Sequence, residues 1–103
     1  MRCLTVLVHT DDAHELVRML GRLPIVNGFT LMQVEGHGTE VEKDAFMASL
    51  DRALGTSPRT RVDIVLADGA ESEVIESLNS AKTKGVIRGG YYWVAELAKE
   101  GRI

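Results

Sequence analysis

Gly28-Phe29-Thr30-Leu31-Met32-Gln33-Val34-Glu35 and Thr60-Arg61-Val62-Asp63-Ile64-Val65-Leu66 read as consecutive strands, with residues 36–58 between them. In the first, Phe29, Leu31 and Gln33 alternate against Thr30, Met32 and Val34; in the second, Val62, Ile64 and Leu66 share one face. Period-two alternation is the mark of a strand covered on one side. The connection opens with Gly36-His37-Gly38 and closes with Gly55-Thr56-Ser57-Pro58. It is far longer than a hairpin turn needs, and connections of that length in a compact domain are functional or disordered segments. Function concentrates on loops held by a rigid scaffold, so the connection is the first place to look for it.

Outward from this centre the pattern repeats. Arg2 to Val8 is a strand with Leu4, Val6 and Val8 on one face and Cys3, Thr5 and Leu7 on the other. A helix is predicted from Ala13 to Leu20, with Leu16, Val17 and Leu20 as its apolar stripe. Asp12 with Glu15 predicts a capping box at its start, and Gly21 and Pro24 end it. Asp68 with Glu71 predicts a second box, for a helix from Ala70 to Lys82 that buries Val74, Ile75, Leu78 and Ala81 and stops at Gly85. Gly89-Gly90 leads into a last strand, Tyr91 to Ala95. The order is βαββαβ, a ferredoxin-like α+β fold: a four-stranded antiparallel sheet with both helices on one face. The uncovered face includes Cys3, Leu7 and Val65, too apolar for water, and predicts a homo-oligomer packed through its sheets.

Composition limits the function. The 103 residues suit one domain, and a net charge of −3 without a basic run argues against a nucleic-acid partner. No apolar stretch approaches the roughly 20 residues of a membrane span, so no direct membrane insertion is expected. The N-terminus runs straight into a strand without a cleavage site, which makes the cytoplasm the expected location. One cysteine, Cys3, excludes an internal disulfide. No nucleophile–base motif, P-loop or framed pair of acids is present, and a non-enzyme is expected.

The sequence resembles the PII signal-transduction superfamily over nearly its whole length. Gly28 through Gly38 is similar to the family's Gly-x-Thr-Val-x-Glu-Val-x-Gly-Phe-Gly, and Arg61-Val62-Asp63-Ile64-Val65-Leu66-Ala67-Asp68 to its third strand and acidic turn. Residues 36–58 fall where the family has its T-loop, about 83–90 where it has its phosphate-closing B-loop, and 96–103 form the tail. The resemblance implies a homotrimer with small effectors in the clefts between subunits, an adenine nucleotide being the first candidate. It also implies a T-loop that engages a protein target such as a membrane transporter. The ending Tyr91-Tyr92-Trp93-Val94 with Gly101-Arg102-Ile103 is closer to divergent PII-like proteins associated with heavy-metal efflux. The family's Arg-Gln is here Thr39-Glu40, and its Gly-Asp-Gly-Lys is Arg88-Gly89-Gly90-Tyr91, so two phosphate-facing cations are absent. Arg52 stands near the position of the tyrosine that some members modify.

The residues themselves nominate three sites. The glycine pairs allow backbone amides to approach an anion; with neighbouring cations they give a ligand set of Gly36, Gly38, Lys84, Arg88, Gly89, Gly90 and Arg102. Phe46, Leu50 and Leu54 recur at helical spacing within Lys43 to Leu54, a partner-binding stripe. Such a segment either folds against a partner or packs as a short helix on its own trimer. The alternative site is a metal one, with His9, His14 or His37 as ligands and the protein a metal-handling accessory; otherwise the nearby Asp11 and Asp12 are caps and the histidines are solvated.

Overall fold

The computed structural model describes residues 1–37 and 56–103. β1 (Arg2–His9) is followed by a 3-10 turn (Thr10–Asp12), α1 (Ala13–Gly21), β2 (Thr30–His37), β3 (Thr56–Leu66), α2 (Ala70–Thr83) and β4 (Gly90–Glu96). The strands form one antiparallel sheet in the order β2-β3-β1-β4. β1 pairs with β3 from Arg2 opposite Leu66 to His9 opposite Arg59, and with β4 from Arg2 opposite Glu96 to Val8 opposite Gly90. This is the expected ferredoxin-like fold.

One face of the sheet packs under the helices. Leu4, Val6 and Val8 of β1 and Val62, Ile64 and Leu66 of β3 meet Leu16 and Leu20 of α1 and Val74, Leu78 and Ala81 of α2, all buried. Fully burying such a side chain is worth about 1.5–3 kcal/mol over leaving it exposed. α2 closes with the hydrogen bonds of a Schellman motif: Val86 N–H donates to the Ala81 carbonyl at 2.9 Å and Gly85 N–H to that of Lys82 at 3.0 Å. The motif needs a left-handed residue at Gly85, whose φ is +76°.

Three expectations are corrected. β3 starts four residues before Thr60, at Thr56, because β2 continues to His37 and carries it. Pro58 is tolerated there because β1 ends opposite Arg59, leaving β3 a partner on one side only. Neither aspartate makes a side-chain cap: α1 and α2 have no side-chain hydrogen bond at Asp12 or at Gly69, the residue that takes the cap position of α2. Each carboxylate has a tertiary partner instead. Asp68 meets the Met1 amine at 2.9 Å, and Asp12 receives Arg88. The cap of the 3-10 turn is His9, whose Nδ1 accepts from Asp11 N–H at 3.1 Å; it is a buried residue, not a solvated one.

Below Met1 a charge cluster ties the other end of β1. Arg2 pairs with Glu71 and lies 3.7 Å from Glu96. The Met1 amine holds the Asp68 carboxyl below its ordinary range. Glu71 is lowered first by its own backbone N–H, against the cost of burial, and then by Arg2.

Candidate functional site

Four segment ends meet at one end of the sheet: β1 and β2 finish there at His9 and His37, and β3 and β4 start there at Thr56 and Gly90. The glycine pairs fall at this end but at opposite edges. Gly36 is on edge strand β2, paired with Ser57, and Gly89-Gly90 opens edge strand β4. Three inter-strand spacings separate those edges, about 14 Å at ordinary sheet geometry. Within one chain, the two ends of the predicted ligand set do not meet.

The β4 side is stapled to β1. Arg88 N–H donates to Asp12 Oδ2 at 3.1 Å, and its guanidinium reaches Asp11 Oδ2 at 3.3 Å and lies 3.5 Å from Asp12 Oδ1. Arg88 therefore fixes the turn that precedes β4 and faces two protein carboxylates. The two glycines differ in role. At Gly90 a Cβ would stand 2.3 Å from the Leu7 carbonyl oxygen, so this glycine is demanded by the approach of β4 to β1. At Gly89, φ is +143° and the nearest side chain is Lys82, whose Nζ lies 3.8 Å from the place of a Cβ. Lys82 is the cation that sequence reasoning missed; its position on the last turn of α2, seven residues before Gly89, was the available signal. Lys84 instead lies exposed at the end of α2, on the helix side, and Arg102 is exposed in the tail.

His9 adds a second feature. Because Nδ1 accepts a backbone N–H, the neutral ring carries its proton on Nε2. That Nε2 and Ser57 Oγ are buried and, among the described residues, have no hydrogen-bond partner. Both lie on the face of the sheet away from the helices, as the register requires. His14 is exposed on α1, and His37 Nε2 lies 3.2 Å from Glu35 Oε2. Among the described residues no three His, Cys, Asp or Glu side chains group as a metal site would. Gly38, Phe46, Leu50 and Leu54 lie outside the described residues.

The uncovered face is not uniformly apolar. Val65 is 43 % exposed, and Cys3 and Leu7 are half-buried. Among them, Thr5 Oγ1 donates to Asp63 Oδ1 at 2.7 Å, and Arg61 Nε donates to the same oxygen at 3.2 Å. The Arg61 guanidinium sits 5.5 Å from the Trp93 ring centroid, and Tyr91 lies 6.1 Å beyond. Tyr91 and Trp93 pair with Leu7 and Thr5 on this face, while Tyr92 pairs with Val6 on the other.

A family model described as a protein of unknown function, DUF3240, matches residues 1–103. The chain belongs to the DUF3240 family. A crystal structure of a DUF3240 family protein from Shewanella baltica OS155 superposes with a TM-score of 0.76 at 16 % identity, covering 99 % of this chain and 94 % of that one. The nitrogen regulatory protein GlnK of Escherichia coli K12 is 26 % identical over 106 residues, spanning 100 % of this chain and 91 % of GlnK. GlnK of Shigella flexneri matches to the same extent. This DUF3240 protein is thus a divergent member of the PII superfamily, with a PII-like regulatory fold. Among the described residues no helix is long and apolar enough to cross a membrane.

Proposed function

We propose that the protein is a non-enzymatic PII-like sensor that works as a homotrimer in the cytoplasm. A small effector binds in the cleft between subunits, biases the loop that joins β2 to β3, and so controls a protein target such as a transporter. The observation that carries this reading is the placement of the glycine pairs: same end of the sheet, opposite edges. A cleft between two copies would bring the β2 edge of one against the β4 edge of the next and complete a set that one chain leaves divided. Whole-length likeness to GlnK, a protein named for regulation, supports the same assignment. The effector must favour one loop state over another, since equal affinity for both shifts nothing.

The ligand set is Gly36 and Gly38 from one edge, and Arg88, Gly89, Gly90 and Arg102 from the other, with Lys82 in place of Lys84, which stands on the helix side. An adenine nucleotide is the first candidate. Its phosphates would meet Lys82 and Arg102 more readily than Arg88, which is engaged with Asp11 and Asp12.

The test is a thermal-shift panel on metal-stripped protein with AMP, ADP, ATP, cyclic AMP, bicarbonate, zinc, copper and nickel. A ligand that binds only the folded state raises its apparent stability by about 2.7 kcal/mol at a hundred times its Kd. A nucleotide shift that disappears in Lys82→Ala and Arg102→Ala is the expected result. Arg88→Ala is a poor probe, since it also cuts the staple. A shift with metal alone, lost in His9→Ala or His37→Ala, would replace the sensor by metal handling.

A further inference from the structure

A cavity of about 380 Å³ opens between the two helices, on the side of the molecule opposite the uncovered sheet face. Its floor is apolar: Met19 and Leu23 from the α1 side, and Val86, which is 42 % exposed although it closes the Schellman motif of α2. Its rim is cationic. Arg18, Arg22 and Lys84 line it against a single carboxylate, Glu15, which lies 3.6 Å from Arg18. Among the described residues, Arg22 and Lys84 have no ion-pair partner. Cations are favourable at helix C-termini, where both of these residues stand. That accounts for each singly; it does not account for their convergence, in a protein of net charge −3, around an open apolar floor.

We infer that this cavity is a binding site for a small amphipathic carboxylate, its apolar body on Met19, Leu23 and Val86 and its carboxylate between Arg22 and Lys84. The volume lies at the lower end of the range for small-molecule sites, about 300–1,000 Å³, and the lining has their character of apolar walls with a few convergent polar groups. A helical peptide is the poorer fit: α1 has nine residues, about 13.5 Å of wall at 1.5 Å per residue. Glu15 keeps one wall negative, which favours a monoanion over a phosphate dianion. Val86 is two residues from Arg88, so an occupant would touch the outer side of the turn that Asp12 holds at the sheet end. The site is separate from the inter-subunit cleft, and its presence does not depend on the sensor reading.

The test is methyl-detected NMR of the full chain titrated with 4-phenylbutyrate and, as the uncharged control, 4-phenylbutyramide. The expected result is saturable perturbation of the Met19, Leu23 and Val86 methyls by the acid, with the amide at least about tenfold weaker, as the loss of a charge-assisted contact implies. Arg22→Gln with Lys84→Gln should weaken the acid by about tenfold or more while the core methyls of Leu4 and Val62 keep their positions. Equal binding of the amide, perturbation centred on Val65 and Trp93 instead, or no perturbation up to about 10 mM, roughly the weakest binding a small anion site should show, would each overturn the inference.

Discussion

Ile64 and Val65 are adjacent in β3, yet Ile64 is sealed beneath the helices and Val65 is 43 % exposed. The same contrast runs across the sheet. The covered face is aliphatic through Leu4, Val6, Val8, Val62, Ile64 and Leu66, and it makes the fold. The uncovered face mixes Cys3, Leu7 and Val65 with the Thr5–Asp63–Arg61 cluster and the Trp93 and Tyr91 rings. Apolar area sets how strongly a surface associates, whereas a satisfied ion pair within it sets orientation and excludes wrong partners. The difference teaches that one sheet carries two cores, one closed within the chain and one that we assign to assembly.

Aspartate substitution at these two neighbours should break that contrast most sharply. Ile64→Asp buries an unpaired carboxylate and should cost more than about 4 kcal/mol, leaving no cooperative urea transition. Val65→Asp should change monomer stability by no more than about 0.5 kcal/mol while abolishing self-association, read together by urea denaturation and sedimentation. Association that survives Val65→Asp would place the interface elsewhere.

Gly90→Ala comes next. Its Cβ would meet backbone, not a yielding side chain, so β4 must shift, at a cost of about 1–3 kcal/mol in denaturant midpoint. Asp63→Ala leaves Arg61 without its carboxylate and the buried Thr5 hydroxyl without its acceptor. A loss of about 1–3 kcal/mol is expected, and Thr5→Val in the same background should recover part of it.

The smallest effect is on pH. Asp68 and Glu71 have folded-state values below their ordinary ones, so the stability they supply is complete above about pH 4.5 and drains away as pH falls through the lowered values. Asp68→Asn with Glu71→Gln should flatten the acid limb of a plot of urea midpoint against pH. An unchanged limb would show that the cluster at Met1 and Arg2 does not contribute.

Most of the fold was legible because the covered face obeys simple periods. Leu4, Val6 and Val8, then Val62, Ile64 and Leu66, alternate without interruption, and Leu16 with Leu20 and Val74 with Leu78 mark the helices. The capping assignments failed for a physical reason. An aspartate before a helix has the same local sequence whether it caps or is drawn away, and Asp12 is drawn away by Arg88, 76 positions along the chain. The extra residues of β3 were hidden by Pro58, which reads as a breaker until the missing partner strand is known. In the candidate site, Gly89 and Gly90 read alike in the sequence but differ in role, since only the pairing of β4 with β1 brings the Leu7 carbonyl against Gly90. The polar cluster on the open face was readable residue by residue, but Arg61, Asp63 and Trp93 become one feature only through the pairing of β1 with both β3 and β4.

The central claim, that the uncovered face and the divided glycine set are completed by other copies of the chain, is tested most directly by native mass spectrometry of the untagged protein. The account predicts a species of about 34 kDa, three times the chain's 11.3 kDa, that collapses to monomer in Val65→Asp. A folded monomer at micromolar concentration, with the wild-type chain showing no trimer, would contradict it.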